Sequence, residues 1–478
     1  MICFKFLITR SMADQGYVLP CHPSCMVEDR FSVCEEYVDQ FEVPQWALIR
    51  TLLQKPVEST TALEDVLSNI QYDLQFSTLR STLLFNYPKF FTCVWPNMVT
   101  AALCLPKLFP DGVLRTLQQR EDFSVSFSRE QIASLLVHMF LCSLQPPVWS
   151  KFWANFGIWY NSESPPVRAY LLCLLDYFSQ LDPSGRPPNP LETVQFCRRV
   201  LVQPPDWSTS SAQFCDGIFV PSTSLEPEPG CNTEVSFANR DVGFGVSGTQ
   251  EEVKMAMSPE ACVAMLITPT LLDNETLLIR GARQVSSCQG IGRNVTYIGP
   301  LKLHCEGDRD WNQRWIVAMD AMELDVPMME NSDAASQSVT GSDLIAELKG
   351  SLLVQELNKA YCGFSGIEPQ TCGNDRDEGV AIATGHWGCG AFGGNKHAKA
   401  LIQLMAAAEA KKQLIYHDIS DGGDKVTPFV DELQTFVNVL VNRKVSVSQL
   451  YSVMVEAGHT QMVLDDEQTL FGVLTKLL

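Results

Sequence analysis

The sequence predicts an alternating α/β domain over residues 205–478, preceded by an all-helical domain over residues 1–204. Apolar residues of the first part recur at helical spacing between proline-rich connections. From about Gln203 the pattern changes to short β-branched runs that alternate with helical stretches. Two glycine-rich loops of the second part are each entered from a strand-like run and left by a helix-like one. At 478 residues, with 46% apolar and 19% charged content, the chain is long enough for two or three domains and a sizeable core.

In the helical part, Thr60 to Gln75, Ser128 to Leu144 and Val167 to Leu181 have the periodicity of amphipathic helices. Ser128 caps the second of these, Gln131 completes a Ser-x-x-Gln capping box, and Ile132, Leu135, Leu136, Met139 and Phe140 fall on one face. Pro165 and Pro166 open the third, and Asp182-Pro183-Ser184-Gly185 closes it. Nothing catalytic stands out in this part. In the second part the expected strands are Gly217 to Val220, Glu234 to Ala238, Thr276 to Arg280, Asn294 to Ile298, Trp315 to Met319, Val380 to Thr384 and Leu414 to His417. Pro221 to Cys231 and Asn331 to Gly341 read as surface loops, and no internal repeat is present.

A net charge of -20 argues against a protein that grips a polyanion along a groove, so direct nucleic-acid binding is not expected. A pocket for one pyrophosphate escapes that objection, because backbone N–H groups and a helix N-terminus supply its positive field. No apolar stretch reaches membrane-spanning length, and Ile2 to Ile8 is too short for a convincing secretory signal. The expected location is therefore the nucleus and cytoplasm, with no membrane partner. The 17 cysteines form no regular framework, and Cys231, Cys288 and Cys389 have no paired metal-ligand spacing with histidines. Reduced thiols, no metal and no other cofactor are expected, and the sequons at Asn274 and Asn294 should stay unmodified.

The first glycine loop runs from Ser236 through Gly243-Phe244-Gly245 to Gln250-Glu251-Glu252, where a short helix begins. Glycine lets backbone approach a ligand closely, and glycosidic bonds are broken by carboxylic acids, so a sugar-phosphate site is one reading. Neighbouring helix residues point about 100° apart, so the two glutamates cannot share one task. An ordinary acidic helix start on a solvated face is the bland alternative. The second loop, Gly385 to Gly394, contains Gly388-x-Gly390-x-x-Gly393, with Asp418 beyond it at the end of the next strand. That spacing also fits a dinucleotide-binding dehydrogenase, although bulky Trp387 and Phe392 suit its tight turn poorly. Purely structural glycines are a third possibility. Phe392 reads as core or as a platform under a base or ribose, and His386 as a general base or a hydrogen-bonded structural residue.

Longer words in the chain resemble the poly(ADP-ribose) glycohydrolase family. They are the glycine triplet followed by Gln250-Glu251-Glu252, the helix around Ser128-Arg-Glu-Gln-Ile-Ala-Ser-Leu-Leu, the block Glu356 to Phe364, and Ala383 to Gly394. The resemblance covers most of residues 105–460 in order and implies a macrodomain, a mixed sheet between helices, behind a helical accessory domain. It implies hydrolysis of ribose–ribose bonds in poly(ADP-ribose), with the polymer or ADP-ribose on modified proteins as partner. Glu252 would protonate the departing ribose oxygen and then activate water, and Glu251 would fix the scissile ribose. Asn239 and Gln250 would contact substrate. Gly243, Gly245, His386, Trp387, Gly388, Cys389, Gly390 and Ala391 would wrap the pyrophosphate and distal ribose, with Phe392 beneath the sugar. The chain departs from the family pattern in the short stretch between Gly245 and Gln250, and at Ser236, Cys288, His386 and Ile419. A macrodomain that binds ADP-ribose while cleaving it weakly or not at all is the alternative those departures imply.

Overall fold

The computed structural model describes residues 16–37, 42–150, 154–215, 217–222, 231–301, 310–324, 345–367, 380–419, 428–459 and 469–478. The run Ile2 to Ile8 and the expected loop Asn331 to Gly341 lie outside these residues. Of the other expected loop, Pro221 and Ser222 belong to a strand, residues 223–230 lie outside the described residues, and Cys231 is buried against Ala383 and Ile415. Two compact units are present. One takes in Met1–Arg198, Asp241–Thr270 and Ile279–Arg314, and the other Arg199–Arg240, Leu271–Leu278 and Trp315–Leu478. Residues 241–270 and 279–314, grouped with the α/β part by their sequence pattern, thus pack with the helical part.

The first unit is built around the helix Arg129–Phe140, which starts as its capping box requires. Ser128 Oγ accepts the Gln131 amide at 3.2 Å, and Gln131 Oε1 accepts the Ser128 amide at 2.9 Å. Every residue from Ile132 to Phe140 is buried, so the apolar face seen in the spacing belongs to a helix enclosed on all sides. Buried polar groups need partners, and the two large ones on this helix, Arg129 and His138, have them. The Arg129 guanidinium reaches Glu260, Glu192 at 3.2 Å and the Gly281 carbonyl at 2.9 Å. The His138 ring reaches Ser143 Oγ at 2.8 Å and the Ala102 carbonyl at 3.1 Å. The other two expected helices are Thr60–Ile70, shorter than its periodic run, and Pro165–Ser179, begun by a proline whose fixed φ suits a first turn.

Strands that the element-by-element reading passes over complete this unit. Phe123–Ser128 pairs antiparallel with Thr193–Val200, Ser128 opposite Thr193. Their period of two is plain in Phe-Ser-Val-Ser-Phe-Ser and in buried Val194, Phe196 and Arg198. The run Asn294 to Ile298 is a correction. Gly292–Asn294 makes a short helical turn, and Thr296–Pro300 pairs with Ser286–Gln289 as a separate hairpin. Positive φ at Gly290 and Gly292 shapes the turn, and no residue of Thr296–Pro300 is buried, which suits a hairpin better than a central strand.

In the second unit the strand order is Glu275–Arg280, Trp315–Asp320, Thr233–Ala238, Ala381–Thr384, Gln413–Ile419, Ile218–Ser222. Neighbours among the last five are parallel, with Ala238 opposite Asp320 and Thr384 opposite Tyr416. Parallel strands covered on both faces read as continuous apolar runs, and Trp315–Asp320 is buried throughout. The helix Gly350–Ser365 covers one face so closely that a Cβ on Gly363 would lie 2.8 Å from Val317 Cγ1. Lys359 of that helix ties the sheet end, donating to Asp320 at 2.6 Å and to the Leu272 and Glu275 carbonyls at 2.7 and 2.9 Å. Burial pushes the Asp320 carboxyl up, against the pull of Lys359. Strands Trp315–Asp320 and Ala381–Thr384 flank Thr233–Ala238 on opposite sides, so the chain changes side there. Open α/β sheets bind ligands at such a point, outside the carboxyl ends of the strands. Among the described residues no helix is long and apolar enough to cross a membrane.

Burial pushes the His138 imidazole down to about 4 from 6.5. The unfolded chain thus binds a proton that the folded chain refuses over that window, and stability is lost as pH falls through it. Denaturant unfolding from about pH 7 to about pH 4 should show the wild type losing on the order of 3 kcal/mol more than His138→Gln. Parallel pH slopes for the two proteins would contradict a neutral buried ring.

Candidate active site

The residues expected to act together divide between the two units. Gly243, Gly245, Gln250, Glu251 and Glu252 belong to the first, Asn239 and the run His386 to Phe392 to the second.

In the first unit the helix Gln250–Met257 is capped by Thr249, whose hydroxyl accepts the Glu252 amide at 3.3 Å. Both glutamates are buried, Glu251 at 5% and Glu252 at 8% exposure, which removes the solvated acidic helix start as a reading. They diverge as their helical spacing requires. Glu251 Oε1 accepts the Gly243 amide at 2.9 Å. Glu252 Oε2 accepts the amides of Ser247 and Gly248, each at 2.7 Å, and the Tyr170 hydroxyl at 3.2 Å. Gln250, also buried, opens the helix. A Cβ on Gly245 would sit 2.3 Å from Glu252 Oε1, so this position has to lack a side chain. Gly248 takes φ +81° where a Cβ would meet the Gly292 carbonyl at 2.2 Å.

The helical part grips this loop from outside. Trp159 Nε1 donates to the Gly245 carbonyl at 2.7 Å, and the Ser164 hydroxyl donates to the Val246 carbonyl. Phe244 stacks on Phe156 at 4.8 Å and lies 4.8 Å from Trp159, packed into the unit rather than filling a cleft. Among the described residues the amides of Gly245 and Val246 have no hydrogen-bond partner, whereas those of Gly243, Ser247 and Gly248 serve the loop's own carboxylates. The donors this loop can offer an anion are thus narrower than the glycine pattern implies.

In the second unit Asn239 follows the strand Thr233–Ala238 and is half-buried. The loop after Ala381–Thr384 turns most of its large side chains inward. His386 Nε2 lies 2.5 Å from Asp418 Oδ1, its Nδ1 lies 3.2 Å from the Tyr416 hydroxyl, and its ring packs on Phe429 at 5.2 Å. Trp387 is fully buried, donating to the Met319 carbonyl at 3.0 Å. Both side chains are thus taken up by structural partners. The Lys399 ammonium lies 4.5 Å from the Trp387 ring centre and pairs with Glu356, whose Oε1 accepts the Met322 amide at 2.7 Å. Burial pushes the Glu356 carboxyl up, against Lys399. A Cβ on Gly388 would meet Ala321 at 2.7 Å and Lys399 Nζ at 3.0 Å, and its φ is +74°. Burial pushes the Cys389 thiol up to about 12, so it is no nucleophile at neutral pH. Gly390 and Ala391 are exposed, and Phe392 is half-buried with its carbonyl accepting the Leu324 amide at 2.9 Å. The helix Lys396–Glu409 is capped by Asn395, and Glu347 Oε1 accepts the Asn395 amide at 2.6 Å.

The dehydrogenase reading loses its footing here. Asp418, which it needs on a ribose, is 4% exposed and bonded to His386. The strand beyond Gln413–Ile419 is Ile218–Ser222 from earlier in the chain, so among the described residues no second mononucleotide half follows. Tyr170, Trp159 and Ser164 are the residues the sequence reading misses. An aromatic on a buried helix carries no local mark that sets it apart from core.

Comparison with known proteins adds the following. The family model described as "Poly (ADP-ribose) glycohydrolase, Macro domain fold" matches residues 204–424, and that described as "Poly (ADP-ribose) glycohydrolase, helical domain" matches residues 86–198. Poly(ADP-ribose) glycohydrolase 1 of Arabidopsis thaliana is 24% identical, covering 88% of this chain and 90% of its own length. Poly(ADP-ribose) glycohydrolase 2 of Caenorhabditis elegans is 24% identical over 75% of this chain and 69% of its own. Poly(ADP-ribose) glycohydrolase 1 of the same worm is 24% identical over 73% of this chain, which spans only 42% of it.

Two glycine substitutions test whether the carboxylate seat sets the loop. Gly245→Ala drives Glu252 off its donors and should cost about 1–3 kcal/mol of unfolding free energy. Gly390→Ala, whose methyl meets nothing within 4 Å, should stay within about 0.5 kcal/mol of wild type. Denaturant titration of both variants decides it, and equal stability would mean that the loop adapts freely.

Proposed function

The chain belongs to the poly(ADP-ribose) glycohydrolase family, and we propose that it hydrolyses ribose–ribose glycosidic bonds of poly(ADP-ribose) to release ADP-ribose. The observation that carries this reading is the pair of buried neighbouring carboxylates, each seated on backbone amides of one glycine loop. Glu252 acts as acid/base: its carboxyl protonates the departing ribose oxygen as the glycosidic bond lengthens. The sugar left behind has oxocarbenium character, and the same carboxylate then takes a proton from the attacking water. Glu251, turned about 100° away around the helix, orients the scissile ribose. Low solvent access around both strengthens their effect on developing positive charge.

The second unit, taken by itself, has a feature that suits a nucleotide. Exposed backbone at Gly390 and Ala391 and the half-buried Phe392 lie beyond the carboxyl end of a parallel strand, where phosphates and sugars are commonly held. A charge of -20 suits entry of a chain terminus into a pocket better than an extended polymer groove. A second reading, a macrodomain that binds ADP-ribose with weakened or no cleavage, is favoured by one feature. Three amides of the first loop serve Glu251 and Glu252, which leaves that loop few donors for a diphosphate.

Glu252→Gln keeps shape and loses the transferable proton, so polymer turnover should vanish while ADP-ribose affinity stays within about threefold. Digestion of labelled polymer beside calorimetric titration with ADP-ribose makes the comparison. Wild-type binding without turnover would select the second reading, and parallel loss of binding and turnover would make Glu252 structural.

A further inference from the structure

The two oxygens of the Glu252 carboxylate are not equivalent. Oε2 accepts the Ser247 amide, the Gly248 amide and the Tyr170 hydroxyl, at 2.7, 2.7 and 3.2 Å. Oε1 accepts no hydrogen bond among the described residues and lies against the bare Cα of Gly245. Placing a proton on an oxygen that already accepts from three donors would set hydrogen against hydrogen and break at least one bond.

We propose that Tyr170 is a positioning residue which, with the amides of Ser247 and Gly248, reserves Oε2 of Glu252 for fixed hydrogen bonds and leaves Oε1 as the oxygen that gives and takes the proton. This rests on the glycohydrolase reading of Glu252. Of the three donors only Tyr170 is a side chain, and it comes from the helix Pro165–Ser179, 82 residues away in sequence. It is fully buried, its ring 5.4 Å from that of Trp159. Burial first and the Glu252 charge second push its hydroxyl far above the usual phenol range, so it remains a donor at every working pH. The helix that carries it is itself pinned one and a half turns on. Asp176 accepts the hydroxyls of Tyr87, Ser286 and Tyr297 at 2.5, 2.7 and 2.6 Å. The step balances without a co-reactant: the proton leaves Oε1 for the ribose oxygen as the glycosidic bond breaks, and one proton of the attacking water returns to Oε1.

The test uses the full-length chain with poly(ADP-ribose) as substrate. Tyr170→Phe keeps the ring in place and removes one donor, so kcat should fall about tenfold with KM and ADP-ribose affinity within twofold. Tyr160→Phe removes another buried hydroxyl of the same unit, one that donates to the Phe140 carbonyl, and should leave kcat within twofold. An unchanged kcat in Tyr170→Phe overturns the inference and leaves the glycohydrolase reading standing. Matching losses of kcat in both variants, with lowered melting temperatures, also overturn it, since they would report packing. A wild type that binds ADP-ribose but never cleaves the polymer sinks the underlying reading and the inference with it.

Discussion

Two peptide N–H groups on one carboxylate oxygen hold the first loop in its shape. Ser247 and Gly248 both reach Glu252 Oε2 at 2.7 Å, so the helix Gln250–Met257 reaches back over its own entry and staples it. Hydrogen bonds to a charged acceptor contribute about 1.5–3 kcal/mol each, enough to dominate the conformation of so short a loop. The rest follows from that seat. Gly245 has to be bare to admit Oε1, Gly248 has to take a left-handed backbone against Gly292, and Phe244 turns into the stack of Phe156 and Trp159. Glycines that look made for a ligand first make room for the protein's own carboxylate.

The second loop obeys the same logic with the opposite sign of charge. Lys399 has no exposed side-chain surface, and an ammonium in that position requires a counter-ion. Glu356 supplies it, and the face of Trp387 covers the ammonium from another side. Gly388 and Gly394 pack tightly here: a methyl at Gly388 would meet Ala321 at 2.7 Å and Lys399 at 3.0 Å, and one at Gly394 would meet the Gly388 carbonyl at 2.7 Å and Lys399 at 2.9 Å. Once these internal ions are accounted for, little of either loop is left over: in the first unit the amides of Gly245 and Val246 have no hydrogen-bond partner among the described residues, and in the second Gly390 and Ala391 are exposed and Phe392 is half-buried.

Much of this was readable from the residues alone, for reasons that are local. The Ser128 capping box, the proline start at Pro165 and the β-branched runs of the central strands act within a few positions of sequence, and each appears where those rules put it. The alternation in Phe123–Ser128 was equally plain and was hidden only by its helical surroundings. What was not readable depends on partners far apart along the chain. Tyr170 looks like any core aromatic until Glu252 arrives, and His386 looks like a loop histidine until Asp418 and Tyr416 close on both ring nitrogens. The burial of Trp387 has the same origin, since its acceptor is a carbonyl 68 residues earlier.

The point at which the two family matches meet, between residues 198 and 204, looks like a natural place to cut. Yet residues 241–270 pack with the segment that ends at Arg198. A fragment beginning at 204 would keep both glutamates while discarding the indole of Trp159 and the hydroxyl of Ser164, which hold the glycine loop, and the phenol of Tyr170, which holds Glu252. The helical region is therefore no detachable appendage. Recombination, truncation or grafting that treats the macro fold as a self-sufficient cassette would inherit the two carboxylates without their mould.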